Sequence, residues 1–131
     1  MKKSAILASL ALVASGGASA AAITLTVGTA VAVCSGSTAV KNDANGGPGA
    51  PVTDSTSFIK TGFSVQCSSN THVTANNASA TSFLIGSGSA KGNQSFKGSS
   101  NGGAVVLHTT CATSGCTSTD ATAATTAASS M

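Results

Sequence analysis

The residues whose types could carry chemistry are few: Cys34, Cys67, Cys111 and Cys116, His72 and His108, and Asp43, Asp54 and Asp120. Glu, Arg, Tyr and Trp do not occur. General acid–base catalysis needs a titratable pair whose pKa values are tuned apart. The three aspartates sit in loop-like stretches, where Asp is ordinarily a turn or cap residue. Each histidine lies on a short strand-like segment, as a plain surface or internally satisfied side chain. Despite many serines, no G-x-S-x-G elbow follows a strand. Gly86-Ser87-Gly88 lacks the lysine and helix start of a phosphate loop. A Lys–Asn isopeptide cross-link normally needs a buried acid beside it, and the chain has no Glu to supply one. Neither an enzymatic role nor a cofactor site is expected.

The cysteines point to covalent staples instead. An even count in an exported chain favours disulfides, and four cysteines allow three connectivities. Cys34–Cys67 with Cys111–Cys116 is the preferred set. The second pair encloses only four residues, and the first joins the ends of two strand-like segments. Loop-closure entropy makes the longer link worth roughly 3–4 kcal/mol and the shorter about 2 kcal/mol. The rival is a zinc site built from Cys111, Cys116, His72 and His108. An oxidising compartment and the lack of a second close ligand pair count against it, and no metal site is expected.

Export is written in the first twenty residues. Met1-Lys2-Lys3 is a short positive start, Ala5 to Ala14 an apolar run, and Ala18-Ser19-Ala20 a small-residue cleavage site. This is the pattern of a cleavable secretory signal over 1–20, too short to span a bilayer. The expected location is secreted, extracellular or at the cell surface, with no integral membrane segment after cleavage. Beyond position 20, four lysines face three aspartates. Such a chain has neither the basic footprint that nucleic acid requires nor a polybasic patch for anionic lipid. Leu, Ile, Val and Phe supply only 19 of these 111 residues. That is thin for a core, although the low net charge argues against disorder. The core is therefore pinned by covalent links, completed by a neighbouring molecule, or both.

The elements that must position these residues are strands. Ile23, Leu25, Val27, Val31 and Val33 share one side of a period-two pattern, interrupted only at Thr29, and predict a strand over 23–33. Residues 35–57, centred on Asn45-Gly46-Gly47-Pro48-Gly49, read as a loop. Alternation returns over Phe58–Cys67, and short strands are expected over Thr71–Ala75 and Ser82–Ile85. Residues 86–103 are rich in Gly and Ser, and Asn101-Gly102 is a hairpin-turn signal leading into a strand over 104–110. Residues 117–131 read as an Ala/Thr/Ser-rich tail, either frayed or a polar edge strand. The expected fold is an all-β, disulfide-stapled sandwich over 21–116.

The segment ITLTVGTAVAVC, the long loop after it and then Gly62-Phe63-Ser64-Val65-Gln66-Cys67-Ser68 resemble the N-terminal half of archaic chaperone–usher pilin subunits, related to spore-coat-U-like domains. The resemblance spans about Ile23 to Ala75. It implies an incomplete immunoglobulin-like sandwich, with Cys34 paired to Cys67. It also implies export through the outer membrane with a periplasmic chaperone and an outer-membrane usher, and fibres joined by donor-strand exchange. The function expected is that of a secreted structural subunit of an extracellular fibre or pilus-like assembly. It would form a homopolymer by strand donation through Ile23, Leu25, Val27, Val31 and Val33. A secreted monomeric adhesion or binding module and a functional amyloid subunit are the alternatives. The lack of Trp and Tyr counts against carbohydrate binding. The disulfides and the absence of repeats count against amyloid.

Overall fold

In the computed structural model, which describes residues 20–112 and 114–131, the alternating N-terminal segment divides between two sheets. Residues 1–19 of the expected signal peptide lie outside the described residues. β1 (Ala21–Ile23) runs parallel to β3 (Val40–Ala44), and β3 pairs antiparallel with β4 (Phe63–Cys67). β2 (Ala30–Ser35) leads an antiparallel sheet of five. Its order is β2, β5 (Thr71–Ser79), β6 (Ser82–Ser89), β7 (Gln94–Ser99) and β8 (Val106–Thr110). The uninterrupted strand expected over 23–33 is thus broken. Gly28 adopts φ +77, a left-handed conformation that costs glycine no Cβ clash, and its N–H bonds to the Asn77 carbonyl. The inward phase survives the break. Leu25 and Val33 are buried, and Ile23 and Val31 pack against the same core.

That core lies between the sheets and is small. Leu25, Val33, Cys34, Ala44, Cys67 and Ala75 form its centre, flanked by Phe63, Val65, Val73 and Phe83. The Cys34–Cys67 disulfide joins β2 of one sheet to β4 of the other, with Cα atoms 5.5 Å apart. The architecture is an all-β, disulfide-bonded sandwich with one short helix added.

Three expectations need correction. First, the stretch read as a loop over 35–57 contains β3. Val40, Asn42 and Ala44 take the inward positions, and the polar residue in the middle hides the alternation. Asn42 nonetheless belongs in the core: its Nδ2 donates to the Val33 carbonyl at 2.6 Å, tying the two sheets together. Conversely, only Phe63–Cys67 of the expected 58–67 strand is strand; residues 58–62 follow a looped course. Second, the Gly/Ser-rich residues after Ile85 are not a loop. β6 runs on to Ser89, and β7 follows after a turn.

Third, residues 117–131 are neither a frayed tail nor an edge strand. They form α1 (Ser118–Ala127) and a closing 3₁₀ turn (Ala128–Ser130), so the folded domain continues past 116 to the end of the chain. Thr117 caps the helix reciprocally with Asp120, satisfying two orphan groups of the first turn. Ala121, Ala124, Thr125 and Ala128 are fully buried on one face. This face lies so close to β6 that a Cβ on Gly86 would collide with Ala121 O and Thr125 N, and one on Gly88 would come within 2.7 Å of Cys116 Cβ. The glycines that disguise β6 as a loop are what let the helix seat. Thr125 Oγ1 donates within reach of both Thr74 O and Ala121 O, each at 2.9 Å. Lys97 Nζ donates to Ala127 O at the helix C-terminus, where a cation suits the macrodipole.

Candidate assembly interface

β1 and β2 are two halves of one segment, and each lies at the margin of its own sheet. The sheets therefore share that margin, from which three strands face five. The larger sheet outruns the smaller at its β7–β8 end. Alternate residues of β6 sort the two faces: Gly86 and Gly88 turn to α1, while Phe83, Ile85 and Ser87 turn away from it. Register carries the second face across the sheet, from Ala75 through Ile85 to Gly98 and from Ser87 through Phe96 to Leu107. Ala75 is covered by the small sheet. Ile85, Phe96 and Leu107 are not, and Leu107 is 51% exposed. Val105 and Ile85 close over Gly98, whose Cβ would sit 3.2 and 3.3 Å from their methyl groups. At the border of the covered half, Phe58 stacks on Phe83 with ring centroids 6.1 Å apart.

Of the five residues expected to act in assembly, Ile23, Leu25 and Val27 lie before the Gly28 break and Val31 and Val33 after it. All five are housed by the chain's own domain. The first part is lightly held. Beyond its three-residue parallel pairing with β3, the Asn45 N–H donates to Ile23 O, and Leu25 N–H donates to Asn45 Oδ1, both at 2.8 Å. Val27 forms a single bridge to Asn77. The second part is secured by β5 along its length and by the disulfide at Cys34.

Two asparagines that sequence reasoning missed hold this region. Asn45, at φ 50, turns its side chain to stand in for a missing strand partner of Leu25. Asn77 is 1% exposed; it accepts the Phe58 N–H at 2.8 Å and donates to Ser57 Oγ at 2.6 Å. The Asn45-Gly46 pair was legible as a turn but not as a clamp. Beside Thr24–Val27, an open depression of about 370 Å³ reaches to Pro51–Asp54.

The titratable residues do not gather into a reactive site. Asp43 accepts from Ser64 Oγ and lies 3.9 Å from Lys41 on the surface of the small sheet. It sits on β3, not in the loop context expected. Asp54 is an Asx-turn acceptor for the Thr56 hydroxyl and N–H, bonds that hold its carboxyl below the ordinary carboxylate value. The Thr117 N–H and hydroxyl do the same for Asp120. All four cysteines are in disulfides, Cys34–Cys67 and Cys111–Cys116, so the rival zinc set has no thiolate to offer. No group of three or more His, Cys, Asp or Glu side chains converges among the described residues. His72 stands on β5 with its buried Nδ1 unpartnered, and His108 stands on β8.

No protein-family model, curated protein or solved structure matches this chain. Among the described residues, no helix is long and apolar enough to cross a membrane.

Proposed function

We propose that this protein is a secreted structural subunit that polymerises at or outside the cell surface by donating its opening segment to a neighbouring copy. One observation carries the reading: Leu25 is buried in the core and Ile23 packs against it, from a segment that goes on through half-buried Val27, is tethered by few main-chain bonds and is bounded by a left-handed glycine. Burying each such side chain is worth about 1.5–3 kcal/mol whether the segment comes from its own chain or from another. Opening at Gly28 and inserting into the next copy preserves those contacts. A heterologous exchange that does not close on itself grows into a filament. In this reading Val31 and Val33 stay at home, since β2 is bonded along β5 and anchored by Cys34.

The uncovered half-face of the larger sheet supports the same reading, because monomeric proteins rarely leave a contiguous apolar face bare. A chain near neutrality also meets copies of itself with little charge to repel. A periplasmic chaperone would shield the vacated groove before assembly, and an outer-membrane usher would receive the subunit.

The test is size-exclusion chromatography with negative-stain imaging of the purified, oxidised protein. Filaments are expected, and Leu25→Asp is expected to abolish them, because an unpartnered charge in the groove costs several kcal/mol. Thr26→Asp, on the exposed side, should leave them intact. A deletion of residues 21–27 should yield a subunit that a peptide of that sequence stabilises without allowing growth. A protein that stays monomeric at all concentrations, or equal damage from Leu25→Asp and Thr26→Asp, would overturn the proposal.

A further inference from the structure

We infer that the end of the open sheet face carries a binding subsite for a neutral carbohydrate. A depression of about 360 Å³ is lined by Thr71, Ser87, Ser89, Asn93, Gln94 and Phe96, with two glycines in its wall. Its floor spans three adjacent strands, β5, β6 and β7, so the lining side chains stand on paired backbone and not on a free loop. Phe96 marks where the apolar half-face passes into this polar rim; the residue is 39% exposed.

The donor and acceptor inventory is specific. The side chains of Thr71, Ser87, Asn93 and Gln94 make no hydrogen bond among the described residues, leaving two hydroxyls and two amides available in one concavity. Each amide offers two donors and an acceptor, and each hydroxyl both roles. No lining residue is charged. A sugar ring is the ligand class that uses this set, and Phe96 supplies the aromatic face that a chain without Trp and Tyr otherwise lacks. Its C–H face carries the partial positive charge that an aromatic π face attracts, and its vicinal hydroxyls match neutral amides and hydroxyls. An acidic sugar would find no cation among the lining residues.

The wall that bears Asn93 is braced from behind. Cys111 N–H donates to Asn93 O at 2.8 Å, and Cys116 N–H lies 2.9 Å from Ser89 O and 3.0 Å from Gly92 O. The short Cys111–Cys116 link thus fixes the turn between β6 and β7 from the side opposite the depression. That gives a disulfide too local to hold the sandwich together a definite task. The site requires only the folded subunit, so it stands or falls separately from strand donation.

The probe is a panel of neutral tetrasaccharides of glucose, mannose, galactose and N-acetylglucosamine, with tetragalacturonate as the charged comparison. They are titrated to about 20 mM into isotopically labelled, oxidised protein and followed by solution NMR of the monomer or magic-angle-spinning NMR of the filament, a range that detects millimolar binding. At least one neutral tetrasaccharide should shift the Asn93 and Gln94 side-chain amides and the Phe96 ring protons, while tetragalacturonate should not. Phe96→Leu keeps apolar bulk without the π face and should weaken binding by roughly tenfold at unchanged melting temperature. Gln94→Ala should weaken it by about threefold to tenfold. No shift with any neutral tetrasaccharide, shifts confined to other residues, or full binding by Phe96→Leu would each overturn the inference.

Discussion

The two faces of the five-stranded sheet solve opposite problems. The face under α1 is lined by Gly86, Gly88, Thr74 and Ser95, yet it is sealed: Thr74 and Ser95 are buried to 2% and 0% exposure. The other face carries Ile85, Phe96 and Leu107, yet its β7–β8 half lies open. Burial here follows approach distance and not side-chain size. A helix built from Ala and Thr has little apolar bulk to offer, but over glycine it comes close enough to exclude water and satisfy Thr125. The face with bulk has no layer above it. A low content of large apolar residues therefore need not mean a weak domain, and several of the large ones present lie outside the core.

Substituting glycines on the two faces breaks the comparison most forcefully. Gly86→Ala should destabilise the domain by about 3 kcal/mol or more, since the new methyl meets helix backbone that cannot yield without unseating α1. Gly98→Ala meets only the methyl groups of Val105 and Ile85 and should change stability by less than about 1 kcal/mol. Chemical denaturation of both variants checks this; equal losses would mean the open face is as tightly packed as the sealed one. Next in size is the short disulfide. Replacing Cys111 and Cys116 together by Ala should cost about 2 kcal/mol. Hydrogen exchange should rise selectively in residues 89–93, where the two cysteine N–H groups hold the carbonyls of Ser89, Gly92 and Asn93.

On the open face, Leu107→Ser should alter monomer stability by about 1 kcal/mol or less, because the side chain is already half in water. The same change should reduce self-association in sedimentation experiments, and a core-sized loss of stability would refute the open-face description. The smallest effect is acidic. Bonds from Thr117 hold the Asp120 carboxyl below its ordinary value. The cap's contribution is therefore complete above the ordinary carboxylate value and disappears as pH falls through the lowered one. Circular dichroism should show α1 loosening in that acid range, and Asp120→Asn should remove the pH dependence of the helical signal.

Legibility followed locality. Alternation within β2, within β4 and over Ile23–Leu25 could be read from period two, because each side chain's face is set by its own backbone. The short Cys111–Cys116 closure was read in the same way. β3 was not, since Asn42 occupies a core position that only the Val33 carbonyl from the other sheet makes acceptable. Asn45 and Asn77 were opaque for the same reason: their partners lie 20 and 19 residues away.

The sequence by itself determined the strand character of the opening segment, its inward phase and a chain with few groups for catalysis. Only the tertiary structure decided that the segment breaks at Gly28 and serves two sheets, that Gly86 and Gly88 belong to a strand, and that Thr117–Met131 becomes a helical layer. The physical reason is that glycine and alanine carry almost no signal of their own. They state how close a neighbour can come, and the neighbour, 28 or more residues away in the chain for Gly86 and Gly88, gives them meaning.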